Sequence, residues 1–136
     1  MPNHVSNELT VDGATKEVNR FLKHMGKGFD FEKIIPMPVD IFRPPMSDKD
    51  KERLAEEGRP NWYDWSMENW DTKWNAYDVK RDIGTYGEAS GKYVTYKFNT
   101  AWSPPEKIVE KLREDWPELE IYGGYIGENH EYCDSF

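Results

Sequence analysis

The chain has 136 residues, a net charge of -8, 37% hydrophobic and 15% aromatic residues. That is one ordinary domain, with a core built from rings more than from aliphatic side chains, and an acidic surface that argues against broad contact with a phosphate backbone. A single cysteine, Cys133, excludes an internal disulfide framework and a Cys-rich zinc site.

His4 to Val11 places Val5, Asn7, Leu9 and Val11 in one register, which predicts a half-buried strand, and Asp12-Gly13 is expected to turn the chain. Thr15 to Met25 carries Val18, Phe21, Leu22 and Met25 on one stripe, the pattern of an amphipathic helix ended by Gly26. The proline-rich run from Phe29 to Met46 predicts an ordered loop packed along the domain. Ser47 to Glu57 predicts a charged helix facing water, closed by Gly58 and Pro60.

Asn61 is the expected cap of a short helix with Trp62, Trp65 and Trp70 roughly on one side. A strand is expected over Lys73 to Val79 and a turn over Arg81 to Gly91. The strongest strand is Lys92 to Phe98, with Tyr93, Thr95 and Lys97 on one face and Val94, Tyr96 and Phe98 on the other. Ser103 and Glu106 read as a capping box for a helix to Trp116, with Ile108, Val109, Leu112 and Trp116 as its buried stripe. Leu119 to Ile126 is the last main strand, followed by a polar tail that adds a short edge pairing.

The order is strand, helix, strand, strand, helix, strand, with an insertion before the second strand. It predicts an α+β, ferredoxin-like split βαβ fold, an antiparallel sheet with two helices on one face and a Trp-rich helical insertion. One domain over 1–136 is expected, with the insertion at about 29–72 and the tail at 127–136. No basic-plus-apolar leader and no membrane-length apolar window is visible, so a cytoplasmic protein is expected.

The stretches PNHVSNELTVDG, FDFEKIIPMP, NWYDWSMENWDTKWNAYDV and FNTAWSPPEKIVEKL resemble the YubB-like, or Api-type, ferredoxin-like domain proteins of bacterial plasmids, prophages and phages. The resemblance runs from Pro2 to about Tyr125. It implies a fold and a mobile-element setting in a bacterial host, but no reaction. One departure is Asp71, where the family phrase NWGTKW has glycine. If the position needs a positive φ, aspartate carries a modest strain but is among the residues that tolerate it.

The candidate binding residues are Trp62, Trp65, Asn69, Trp70, Lys73, Trp74 and Trp102 near the tryptophan segment, and Tyr93, Thr95 and Lys97 on the sheet. The tryptophans read as core fill between insertion and sheet edge, with a ligand-stacking platform as the sharper alternative. The strand Gly91 to Phe98 invites comparison with RNA-recognition sheets, yet its glycine-aromatic order departs from their signature. A Cys133–His130 pair lies in the tail without an orienting third group, and His4, His24 and His130 lack structural-zinc spacing. Glu52, Glu56 and Glu57 could imitate phosphates, but Lys49, Lys51, Arg53 and Arg59 are interspersed.

No catalytic set, metal site or cofactor motif is expected. The expected role is a protein-binding accessory module of a mobile element with a host or element protein as partner, inhibiting a host defence complex. A single-stranded nucleic-acid or nucleotide binder is the alternative, and a small enzyme the third. Oligomeric state is left open by the sequence.

Overall fold

A computed structural model describes residues 4–38, 49, 52–53, 61–72, 74–85, 91–128 and 133–136. The elements are β1 (His4–Ala14), α1 (Thr15–Met25), a 3-10 turn (Phe31–Lys33), α2 (Trp62–Asn69), β2 (Tyr77–Thr85), β3 (Gly91–Ala101), α3 (Glu106–Asp115), β4 (Glu120–Gly127) and β5 (Cys133–Ser135). The strands form one sheet in the order β2-β3-β1-β4-β5, each neighbouring pair antiparallel. Strand one at the centre, between strands three and four, is the ferredoxin-like arrangement.

Strand alternation sorts the side chains between two faces. Val5, Leu9 and Val11 of β1 and Val94, Tyr96 and Phe98 of β3 point to one face and are fully or almost fully buried. Val18, Phe21 and Met25 of α1, and Ile108, Val109 and Leu112 of α3, close over that face. The core is indeed aromatic. Phe29 lies 4.8 Å from Tyr96 and 4.7 Å from Phe98, and Phe21 meets Trp116 edge-on at 5.3 Å.

The loop expected over Phe29 to Met46 packs along the core as far as residue 38; residues 39–46 lie outside the described residues. Phe29, Phe31, Ile34 and Met37 all enter the core. Asn75 holds the loop to the chain before β2, accepting from the Phe31 N–H at 2.9 Å and donating to Asp30 at 2.7 Å.

Several boundaries differ from the sequence reading. Asp12-Gly13 does not turn the chain; both pair with β3, as Asp12↔Tyr93 and Gly13↔Lys92. A central strand flanked on both sides gains ladder bonds by continuing, and that outweighs the local turn preference of the pair. β2 begins at Tyr77 rather than Lys73, and Arg81 to Thr85, read as turn, belong to it. The capping box also fails: α3 starts at Glu106, after Pro104 and Pro105, and the Ser103 hydroxyl donates to the Asp71 carbonyl instead. Trp116 stands at the C-cap of α3, half-buried, with its N–H donating to the Leu112 carbonyl.

Asp71 takes over the capping role from a distance. Its carboxylate accepts from the Lys107 N–H in the first turn of α3 at 3.1 Å, and the Lys107 ammonium lies 3.7 Å away. An acid at a helix N-terminus satisfies an orphan donor and meets the positive end of the dipole. Asp71 does take a positive φ, 63°, so the condition under which aspartate replaces the family's glycine at a modest strain is met. The charged segment Ser47 to Glu57 falls almost wholly outside the described residues; of it Lys49, Glu52 and Arg53 are described, each helical. No helix among the described residues is long and apolar enough to cross a membrane.

Candidate functional site

The face of the sheet opposite the two helices carries polar and exposed side chains. Its residues follow from strand parity and register. One cross-strand row runs Lys80, Lys97, Glu8, Gly124; the next runs Asp82, Thr95, Thr10, Tyr122. Tyr93, Asp12 and Glu120 form a third row, and Asn99, Ser6 and Ile126 a fourth. An open groove of 820 Å³ crosses the face, lined by Ser6, Glu8, Lys80, Lys97, Asn99 and Gly124 among others. On β4 the groove is lined by Gly124, Tyr125 and Ile126.

The electrostatics of this face are mixed. Lys80 and Lys97 stand directly opposite each other, a like-charged cross-strand pair. Such pairs are destabilising by themselves. The Thr10 and Thr95 hydroxyls bond each other at 3.0 Å in the centre of the sheet. Tyr122 is 48% exposed, and its phenol is held above the usual range by desolvation and then by the carboxylates of Asp12 and Glu120.

At one end of the groove the chain brings together His4, Tyr77 and Glu128. The Tyr77 hydroxyl meets His4 Nδ1 in a short contact, and the His4 backbone N–H donates to the Glu128 carboxylate at 3.1 Å. Burial first, then Asp78 and Glu128, raises the Tyr77 phenol. A raised phenol stays protonated at neutral pH, so Tyr77 is held as a hydroxyl and not as a phenolate nucleophile. Among the described residues no group of three His, Cys, Asp or Glu side chains converges to hold a metal ion.

The residues proposed from sequence divide between two regions instead of forming one site. Trp70 is core: it is buried, its indole N–H donates to the Ile35 carbonyl at 2.9 Å, and it meets Phe31 and Trp65 edge-on at 5.6 and 5.2 Å. Trp62 and Trp65 are half-buried against the same core. The Asn69 amide donates to the Trp65 carbonyl of its own helix, which commits it to structure. Asn61 caps α2 as expected, accepting from the Asp64 N–H at 2.8 Å. Trp74 and Trp102 are the exposed members, at 36% and 42%, with Trp102 edge-on to Tyr63 at 5.9 Å. Lys73 lies outside the described residues.

Tyr93, Thr95 and Lys97 do share the open face, as alternation required. Sequence reasoning missed their neighbours Glu8, Thr10, Lys80, Asp82 and Tyr122. The first two were available as the outward register of β1. Lys80 and Asp82 were hidden because β2 was drawn too short.

With that geometry in place, the comparisons can be read. Residues 69–133 match the family described as a ferredoxin-like domain in Api92-like protein. The match runs from the last residue of α2 through β2, β3, α3 and β4 to the first residue of β5, and supports the Api-type part of the resemblance for that segment. β1 and α1, which complete the sheet and its cover, precede it. No curated protein and no solved structure matches the chain.

Proposed function

We propose that this chain is a non-enzymatic protein-binding accessory module of a mobile genetic element, YubB-like in kind, which docks on a host or element protein through the open face of its sheet. Inhibition of a host defence complex in the bacterial cytoplasm is the role this reading favours. The observation that carries it is the groove across a sheet face that no element among the described residues covers, with Lys80, Lys97, Glu8 and Asn99 inside it and tyrosines in the neighbouring rows. Exposed tyrosines beside charges of both signs suit a protein interface, where aromatic contact supplies area and charge supplies register.

The nucleic-acid reading draws less support. The central strands β1 and β3 offer two rings between them on this face, Tyr93 and His4, and His4 is already edge-on to Tyr77 at 5.5 Å, while β1 contributes Glu8 and Asp12. Base-stacking sheets need several rings, and carboxylates repel phosphate. The enzymatic reading draws less support still: Ser6 in the groove makes no side-chain hydrogen bond among the described residues, and the Tyr77 hydroxyl beside His4 is held protonated.

Affinity capture from host extract, with and without nuclease, tests the proposal when three baits are compared. These are the wild type, an open-face variant Thr95→Arg/Lys97→Glu, and Glu110→Arg on the exposed side of α3. One protein retained through nuclease by the wild type and Glu110→Arg, and lost from the open-face variant, supports it. Retention by all three baits removes the sheet face, and loss after nuclease moves nucleic acid to the front.

A further inference from the structure

β2 ends the sheet, and among the described residues no strand pairs with its outer side. Natural edge strands are blunted by charges, bulges and short length. β2 has a bulge after Tyr77 and three consecutive charges, Lys80, Arg81 and Asp82. It is nonetheless nine residues long, and it leaves Ile83 41% exposed. The order of its residues is also self-complementary.

We infer that β2 pairs antiparallel with β2 of a second copy, about a two-fold axis through Arg81. A symmetric antiparallel pairing must place residues of like face opposite each other, so the axis has to pass through a residue position. An axis at Lys80 opposes lysine to lysine, and one at Asp82 opposes aspartate to aspartate. An axis at Arg81 opposes Lys80 to the second copy's Asp82 and, by symmetry, Asp82 to its Lys80. The same register opposes Val79 to Ile83 twice on the helix-covered side.

Three observations support that register. First, Lys80 and Lys97 face each other across β2 and β3 with no ion pair among the described residues. The second copy's Asp82 brings a carboxylate beside them. Second, half-buried Val79 and exposed Ile83 each gain an apolar neighbour, a favourable kind of cross-strand pair. Third, Arg81, which would meet its own copy on the axis, is already turned away. Its guanidinium donates to the Gly26 carbonyl at 2.8 Å, at the C-terminal end of α1 where the helix dipole is negative. The bulge after Tyr77 stops the pairing at Val79. The product is a C2 dimer, the commonest form of protein oligomer, with the two sheets joined edge to edge.

Light scattering on the full chain across low to high micromolar concentration tests this. The expected species is a dimer at twice the 16.1 kDa of the chain. Lys80→Asp alone, or Asp82→Lys alone, turns both attractive pairs repulsive and should raise the dimer dissociation constant by about tenfold or more. The double exchange Lys80→Asp/Asp82→Lys restores opposite charges across the axis and should recover the dimer. Circular dichroism checks that each variant folds. A wild type of monomer mass at every concentration overturns the inference. So does a dimer indifferent to both single changes, or a double exchange that fails to rescue. Lys80 also lines the open-face groove, so the two readings are separated by the readout: self-association reports the β2 edge, while partner capture by the β3 variants reports the face.

Discussion

The two faces of this sheet are drawn from the same strands, yet they obey different rules. On the helix side, Leu9, Val11, Val94 and Tyr96 have no exposed surface. On the other, their immediate neighbours Glu8, Thr10, Thr95 and Lys97 are half-buried or exposed. One face carries the stability and tolerates little change in volume; the other is constrained mainly by strand propensity and is open to be shaped by a partner. A sequence signal for fold and a sequence signal for binding therefore alternate residue by residue along a single strand.

The contrast is sharpest if a large ring is removed from the covered side. Trp70→Ala should cost about 3–5 kcal/mol in urea denaturation, because it leaves a cavity and an unpaired Ile35 carbonyl. Next in size is Gly123, where an added Cβ would stand 1.9 Å from the Glu8 carbonyl oxygen. Gly123→Ala forces β1 and β4 apart and should cost at least about 1–3 kcal/mol, with hydrogen exchange quickening first along that pair.

Asp71 combines two opposed effects. Asp71→Gly relieves the positive φ but removes the acceptor for the Lys107 N–H, while Asp71→Ala loses the acceptor and keeps the strain. Glycine should therefore be destabilised by about 1 kcal/mol or less and alanine by about 1–2 kcal/mol. Equal losses would remove strain from the account.

Tyr96 gives a pH-dependent difference within the core. Burial pushes its phenol up to about 12, with Arg81 acting in the opposite sense, and its hydroxyl has no hydrogen-bond partner of good geometry. The folded state thus holds this proton more tightly than the unfolded chain. The contribution is complete below pH 10 and is lost as pH rises through about 12. Tyr96→Phe should flatten that decline relative to wild type and leave stability at pH 7 unchanged or slightly higher, since no buried hydroxyl remains unsatisfied. The smallest effect belongs to the open face: Lys97→Ala should shift stability by no more than about 0.5 kcal/mol. A larger shift would mean that the groove is part of the scaffold.

Much of the fold was legible because period 2 and period 3.6 were clean where burial was one-sided. The helix Thr15–Met25 and the two-faced strand around Lys92 to Phe98 needed only their apolar spacing. β2 was not legible, because an edge strand exposed on both sides carries little alternation, and Lys80-Arg81-Asp82 reads locally as loop. The cap of α3 was missed for another reason: its acceptor, Asp71, comes from far along the chain, and a local capping-box pattern at Ser103 supplied a decoy. For the candidate site, parity alone put Tyr93, Thr95 and Lys97 on one face. The tryptophans read chiefly as core fill, which fits Trp70 and the half-buried Trp62 and Trp65; their spacing did not single out Trp74 and Trp102, which face outward.

The central position of β1 has a consequence for how this protein is made. His4–Ala14 leaves the ribosome well before its partners, Gly91–Ala101 on one side and Glu120–Gly127 on the other. The middle of the sheet must stay unpaired until most of the chain has been synthesised. Contacts so distant in sequence are reached slowly, since loop closure has to precede any ladder bond. A nascent chain arrested before β3 would present an apolar strand, Val5, Leu9 and Val11, with neither of its two sheet partners yet made. That intermediate is the state in which chaperones would meet this protein.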